Sequence, residues 1–146
     1  MMKAASRIPL TRTARLDEDD SLTAAPPRHR RILVVDDEEH IRVLLREVVQ
    51  TLGHRAILAA NGVQALEKLS GTDVDLVITD INMPGLSGLD LLRRIKAELP
   101  DLPVILITGY GTERAERAAQ ELRADGFLGK PFRVEDMRHC IARLIG

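Results

Sequence analysis

Aromatic residues are nearly absent from this 146-residue chain, which has two Phe, one Tyr and no Trp. Proteins that bind single-stranded nucleic acid stack its bases on aromatic side chains, so the composition does not favour that function. The formal net charge of −1 also argues against general attraction to nucleic acid or to an anionic membrane. We therefore expect neither nucleic acid nor membrane as a direct partner.

Cysteine and long apolar segments are scarce as well. Cys140 is the only cysteine, so no disulfide can form within the chain, and a reducing cytoplasm is the expected setting. No apolar run approaches the ~20 residues that a membrane-spanning helix needs. The N-terminus also lacks the apolar stretch of a secretory signal. These absences predict a cytoplasmic protein.

The first part of the chain differs from the rest in composition. Residues 1–29 contain basic, acidic and Ala-Pro-Pro stretches without apolar periodicity. Such a segment cannot bury enough apolar surface to offset the entropy cost of ordering it. We expect a disordered N-terminal extension over residues 1–29 and a single folded domain over residues 30–146.

Strand-like and helix-like patterns alternate five times in that domain. The predicted strands are short and apolar on both faces, which is typical of a parallel sheet covered by helices on both sides. Right-handed crossovers leave few topologies for such a chain, so we predict an α/β fold with a flavodoxin-like (βα)5 open parallel sheet. The predicted strands span residues 32–35, 56–60, 76–79, 104–108 and 126–128.

Polar side chains stand where four of these strands end. Asp36 and Asp37 follow the first strand, Asp80 follows the third, Thr108 ends the fourth, and Lys130 comes just after the fifth. The carboxyl ends of parallel strands meet at one edge of a sheet, so these residues should lie together. Three converging carboxylates repel one another unless a cation joins them. The sequence therefore predicts a divalent-metal site beside a carboxylate nucleophile.

This set of residues suits phosphoryl transfer. A carboxylate such as Asp80 can attack phosphorus and form an acyl phosphate. A metal ion and the Lys130 ammonium would neutralise charge on the transferring group, and the Thr108 hydroxyl would donate to one of its oxygens. Taken singly, the acids could cap a helix, the threonine could be an ordinary strand-end residue and the lysine could be a solvated surface residue. Their joint placement favours the shared site.

Four stretches of the chain occur in a telling order: Ile32-Leu33-Val34-Val35-Asp36-Asp37-Glu38, Asp80-Ile81-Asn82-Met83-Pro84-Gly85 with Gly88, Ile107-Thr108-Gly109 and Gly129-Lys130-Pro131-Phe132. Together they resemble the receiver domain of two-component response regulators, over about residues 31–146. The resemblance implies a phosphoprotein whose Asp80 accepts a phosphoryl group from a phosphohistidine. The donor would be a sensor histidine kinase or a histidine phosphotransfer protein.

The resemblance also implies a cofactor and its ligands. Mg²⁺, or Mn²⁺ in its place, would be held by Asp37, Asp80 and the backbone carbonyl of Asn82, with Asp36 acting mainly through water. Thr108 and Lys130 would contact the phosphoryl group.

Three further roles follow from the resemblance. The Lys130–Pro131 peptide bond would be cis. Thr108 and Phe127 would form the switch, with Thr108 shifting toward the phosphoryl oxygen and Phe127 turning inward. Asn82 and Tyr110 would flank the path of attacking water and so tune the lifetime of the acyl phosphate.

Because the sequence ends with the last predicted helix, we expect a stand-alone receiver rather than an enzyme acting on other molecules. Its only reactions would be its own phosphorylation and dephosphorylation. The signal would be a phosphorylation-dependent conformational change, read by a downstream protein at the face formed by residues 112–146.

Several alternatives stay open at this point. The chain could be a phosphorelay or phosphate-sink receiver, a receiver fragment of a hybrid histidine kinase, or a binding module that works without phosphorylation. A phosphohydrolase of the haloacid-dehalogenase type also uses a strand-end Asp. That class has a second acid two residues later, where this chain has Asn82.

Overall fold

The computed structural model describes residues 29–109 and 112–146, and the side chain of Thr112 is not part of that description. The predicted disordered extension lies outside these ranges except for His29. Tyr110 lies outside them too, so its predicted influence on lifetime stays a prediction.

Five strands and five helices alternate within the described ranges. The strands form one sheet in the order β2-β1-β3-β4-β5, and every neighbouring pair is parallel. This arrangement confirms the predicted flavodoxin-like fold. The elements are β1 (Arg31–Val35), α1 (Glu39–Thr51), β2 (Arg55–Ala59), α2 (Gly62–Gly71), β3 (Leu76–Asp80), α3 (Gly88–Glu98), β4 (Val104–Thr108), α4 (Thr112–Glu121), β5 (Gly126–Gly129) and α5 (Val134–Ile145).

The core lies on both faces of the central strands. β3 and β4 are buried at all five of their positions, which explains why their sequences do not alternate between apolar and polar residues. Helices α1 and α5 cover one face, and α2, α3 and α4 cover the other. Each fully buried Leu or Ile contributes roughly 1.5–3 kcal/mol, so this double layer holds the strand ends rigidly in place.

Local chemistry sets the helix ends near the carboxyl edge of the sheet. The Asn61 side chain accepts a hydrogen bond from the Gln64 N–H and begins α2. Ser87 and Asp90 form a reciprocal capping box that begins α3. At the other edge, Gly53 has φ of 89°, a conformation that favours glycine, and the chain turns there from α1 into β2.

Some strand boundaries differ from the prediction by one residue. β2 begins at Arg55, which pairs with Arg31 of β1, and ends at Ala59. Ala60 leaves the sheet because its N–H donates to the Gln64 side chain at 2.8 Å. Within the described ranges, no helix is long and apolar enough to cross a membrane.

Candidate functional site

The fold brings the predicted polar residues to one edge of the sheet. Asp36 directly follows β1, Asp80 ends β3, Thr108 ends β4, and Lys130 directly follows β5. The register places Thr108 opposite Gly129, the residue before Lys130. Since β1, β3, β4 and β5 are consecutive neighbours in the sheet, the four side chains share one cleft.

Three carboxylates meet in this cleft. Asp36, Asp37 and Asp80 each place one oxygen within 4.8 Å of the others. Asp36 is fully buried and Asp80 is 4% exposed, whereas Asp37 faces solvent. Burial, together with the negative charge of Asp36, raises the pKa of Asp80 from 3.8 to about 6. Burial likewise raises the pKa of Asp36.

The donor set fits a hard divalent cation. The Oδ1 atom of Asp36 accepts the Glu38 N–H at 2.9 Å, but its buried Oδ2 atom has no hydrogen-bond partner among the residues that the structure describes. A buried carboxylate oxygen that accepts no hydrogen bond and lies beside two more carboxylates is suited to bind a metal ion or a metal-bound water. Oxygen-only ligands match the preference of Mg²⁺ and Mn²⁺.

Lys130 lies over the carboxylates. Its Nζ atom is 3.2 Å from Glu38 Oε1, 3.4 Å from Asp36 Oδ2 and 3.6 Å from Asp80 Oδ2. Burial alone would lower the pKa of Lys130, but Asp36, Asp80 and Glu38 outweigh it and raise that pKa. The lysine therefore stays an ammonium group. The Lys130–Pro131 peptide bond is cis.

Sequence reasoning assigned no separate role to Glu38, which makes the shortest of these ion pairs. Glu38 and Lys130 are 92 positions apart, and half of the Glu38 side chain is exposed. The run of four acids at residues 36–39 was the available signal. It did not show which acid would reach the lysine.

Thr108 and Asn82 complete the cleft. Thr108 is fully buried, and its hydroxyl accepts a hydrogen bond from Asn82 Nδ2 at 3.4 Å. The Lys130 N–H donates to the Thr108 carbonyl at 2.7 Å. Phe127 lies in β5, is half-buried and packs against the core beneath α2, α3 and α4. Its role in the switch, with that of Thr108, stays a prediction.

An open cavity of about 500 Å³ adjoins the carboxylates. Its lining includes the charged side chains of Asp80 and Lys130 and the apolar side chains of Ile41, Leu44 and Phe132. Charged and apolar side chains thus line the same open cavity beside Asp80.

Comparison with known proteins identifies the family. Residues 32–142 match the family described as the response regulator receiver domain. The chain belongs to this family. It is a receiver in two-component signalling, and the predicted resemblance is confirmed.

Two curated relatives illustrate the range of the family. The receiver is 35% identical to sporulation initiation phosphotransferase F of Bacillus subtilis over 117 residues, which cover 80% of this chain and 94% of that protein. It is 36% identical to response regulator MprA of Mycobacterium sp. strain KMS over 107 residues, or 73% of this chain and 46% of MprA. The receiver thus spans about half the length of MprA.

Solved structures share the fold. A response regulator receiver domain protein from Clostridium thermocellum is 33% identical, with a TM-score of 0.75 over 80% of this chain and 94% of that one. The response regulator TrrA from Thermotoga maritima, solved in complex with Mg²⁺ and BeF, is 39% identical. Its TM-score is 0.72, over 79% of this chain and 98% of TrrA.

Proposed function

We propose that the receiver accepts a phosphoryl group on Asp80 from a phosphohistidine of a sensor histidine kinase or a histidine phosphotransfer protein. The observation that carries this proposal is the nearly buried Asp80 carboxylate, which lies 3.6 Å from the Lys130 ammonium and beside two further carboxylates. An Asp80 oxygen attacks phosphorus, the phosphorus–nitrogen bond breaks, and the leaving imidazole keeps the electron pair. The activity is confined to the receiver's own aspartate.

Asp37, Asp80 and the backbone carbonyl of Asn82 would hold Mg²⁺ or Mn²⁺, and Asp36 would act mainly through water. The buried Asp36 Oδ2 atom accepts no hydrogen bond from the described residues and lies 3.4 Å from Lys130 Nζ, which supports this assignment. A bound cation would supply positive charge that offsets the repulsion among the carboxylates and the charge on the transferring phosphoryl oxygens.

Lys130 and Thr108 would bind the phosphoryl group. The lysine already contacts three carboxylates at 3.2–3.6 Å, so it can exchange one of them for a phosphoryl oxygen with a small movement. Thr108 would turn its hydroxyl from the weak 3.4 Å contact with Asn82 toward the same group. Phe127 would follow by repacking, and a downstream protein would read the change at residues 112–146.

A phosphorelay carrier is a second candidate function. The likeness to a protein named sporulation initiation phosphotransferase F, over 94% of its length, favours it. In this role the acyl phosphate on Asp80 would pass to a histidine on another protein, which is the chemical reverse of loading.

Intact-protein mass spectrometry tests the acceptor. After incubation with a small acyl-phosphate donor and Mg²⁺, we expect a mass increase of one phosphoryl group. The increase should disappear when Mg²⁺ is chelated and in Asp80→Asn. Asp101→Asn removes an exposed carboxylate from the opposite edge of the sheet and should load like the wild type.

No adduct in the wild-type protein after an early acid quench would overturn the proposal. An adduct that persists in Asp80→Asn would show a different acceptor. For the relay role, the loaded receiver is mixed with histidine phosphotransfer proteins from the same cell. Transfer of the phosphoryl group from Asp80 to a histidine supports a relay. Release of that group only as inorganic phosphate contradicts it.

A further inference from the structure

A basic cavity lies at the opposite edge of the sheet from Asp80. It has a volume of about 670 Å³ and is formed by the amino ends of β1 and β2 together with the carboxyl end of α2. Its charged lining consists of three cations, Arg31, Arg55 and Lys68, and one carboxylate, Asp73. The cavity therefore carries excess positive charge in a receiver whose formal net charge is −1.

The side chains of the three cations have no acidic partner within residues 29–109 and 112–146, whereas the backbone N–H of Arg31 donates to Asp75 Oδ2 at 2.9 Å. No ion pair of that part of the chain involves the side chain of Arg31, Arg55 or Lys68. Arg31 and Arg55 are direct partners in the register of β1 and β2, and both are exposed. Like charges directly opposite each other on neighbouring strands repel, so an anion placed between them is favourable.

The chain itself contains a segment of the complementary charge. Residues 17–20 read Asp-Glu-Asp-Asp and are the only acids among the first 28 residues. The last of them lies 11 positions before Arg31, which lines the cavity. Eleven extended residues span at most ~40 Å, so the acidic segment stays within reach of the cavity.

The point from which this tether leaves the fold is fixed beside the cavity. The Arg30 N–H donates to His54 Nδ1 at 3.1 Å, and the Arg55 N–H donates to the Arg30 carbonyl at 2.8 Å. A short tether from a fixed point gives the attached segment an effective concentration in the millimolar range. Weak ionic contacts are then enough to populate a docked state.

We propose that residues 17–20 dock into the basic cavity of their own chain. The three cations face the four acids, and Asp73 sets a limit on how deeply the acids enter. The Asp80 cleft lies at the other edge of the sheet, so docking leaves the phosphorylation site open. This proposal does not depend on the proposed function.

Paramagnetic relaxation in the full-length protein tests the docking. A nitroxide label is placed at Ser21→Cys in a Cys140→Ala background, and its effect on backbone amide signals is measured. We expect the strongest effects at residues 55–57 and 68–72. Each exposed ion pair shifts an equilibrium by roughly two- to fivefold, so neutralising all four acids to Asn or Gln should reduce the docked population by about tenfold or more. High salt should have the same effect.

Matched variants separate docking from general attraction. The double variant Arg55→Gln, Lys68→Gln should weaken the paramagnetic relaxation effect at the cavity. The double variant Arg114→Gln, Arg117→Gln removes the same charge from exposed positions of α4 and should leave that relaxation effect unchanged. Docking can also be measured with Cys140 intact, by comparing the amide chemical shifts of the wild type with those of the variant in which the four acids are neutralised. Shifts at the cavity that follow the four acids support docking.

Three results would overturn the proposal. In the first, the relaxation profile does not change when the four acids are neutralised. In the second, the effects centre on the arginines of α4 or α5. In the third, the effects arise between molecules when spin-labelled protein is mixed with isotope-labelled protein, which would assign the cavity to a second copy.

Discussion

Asp80 combines burial with a negative charge, an arrangement that costs free energy until a cation is near. The protein reduces this cost in two ways. Lys130 contributes an ammonium group at 3.6 Å, and the raised pKa lets part of the Asp80 population be protonated near pH 6 when no metal is bound. The nucleophile of the proposed reaction is thus also a source of instability in the metal-free protein.

The metal-free receiver should lose stability as the pH rises. Burial, followed by the charge of Asp36, raises the pKa of Asp80 to about 6, so its proton stabilises the fold below pH ~4 and is lost as the pH rises through 6. Asp80→Asn lacks this titration. In the presence of a chelator, we expect the free energy of unfolding of the variant to exceed that of the wild type by at most ~3 kcal/mol at pH 8. This difference should become smaller as the pH falls toward 4. Urea unfolding at a series of pH values measures it.

The control for this profile is Asp101→Asn, which removes an exposed carboxylate at the other edge of the sheet. Its stability should follow that of the wild type at every pH. An Asp80→Asn advantage of the same size at pH 4 and pH 8 would show that ionisation of this carboxyl is not its source.

At the scale of elements, β3 and α3 meet so closely that only a hydrogen fits between them. A Cβ atom on Gly88 would lie 2.2 Å from the Asp80 carbonyl oxygen and 2.7 Å from the Cα atom of Ile81. The Gly88 N–H also donates to the Ile81 carbonyl at 2.9 Å. The beginning of α3 is therefore packed directly against the residue proposed to carry the phosphoryl group.

Gly88→Ala should push α3 away from β3. Overpacking of this kind costs about 1–3 kcal/mol, and we expect a loss of unfolding free energy in that range. The matched control is Gly71→Ala at the end of α2, where a Cβ atom would meet nothing within 4 Å. Gly71→Ala should leave the free energy of unfolding unchanged or raise it by up to ~1 kcal/mol. Urea unfolding of the two variants gives the comparison, and equal stabilities would contradict the close contact.

For the molecule as a whole, the carboxylate cleft would couple metal binding to folding. A ligand that binds only the native state raises its stability by about 2.7 kcal/mol at a concentration 100 times its dissociation constant. Because Asp36, Asp37 and Asp80 come from two strand ends, the cluster exists only when the sheet is assembled. Metal ions should therefore act on global unfolding.

We expect Mg²⁺ to raise the unfolding temperature of the wild-type protein and to have a much smaller effect on Asp37→Asn. Asp37 is exposed, so its replacement removes a proposed ligand with little disturbance of the core. Thermal unfolding in MgCl₂, compared with NaCl at equal ionic strength, measures the difference. Glu39→Gln, an exposed change on α1, serves as the control and should respond like the wild type. Equal responses of all three proteins would contradict a site at this edge.

Much of the site could be predicted because strand ends are legible in the pattern of apolar residues. Asp36, Asp80, Thr108 and Lys130 each stand at the end of an apolar run, and parallel strands bring such ends together. The Glu38–Lys130 ion pair could not be predicted in this way. It depends on side-chain reach across two loops that are 92 positions apart.

The amino-acid sequence alone determined the fold class and the composition of the carboxylate cleft. Both follow from local periodicity and from the polar residues that interrupt it, which are properties of neighbouring positions. The tertiary structure decided which acid contacts the lysine, how closely Gly88 approaches Asp80, and that Arg31, Arg55 and Lys68 share a cavity. These features depend on the order of the strands and on the distances between elements, since side chains far apart in sequence interact only after the sheet has formed.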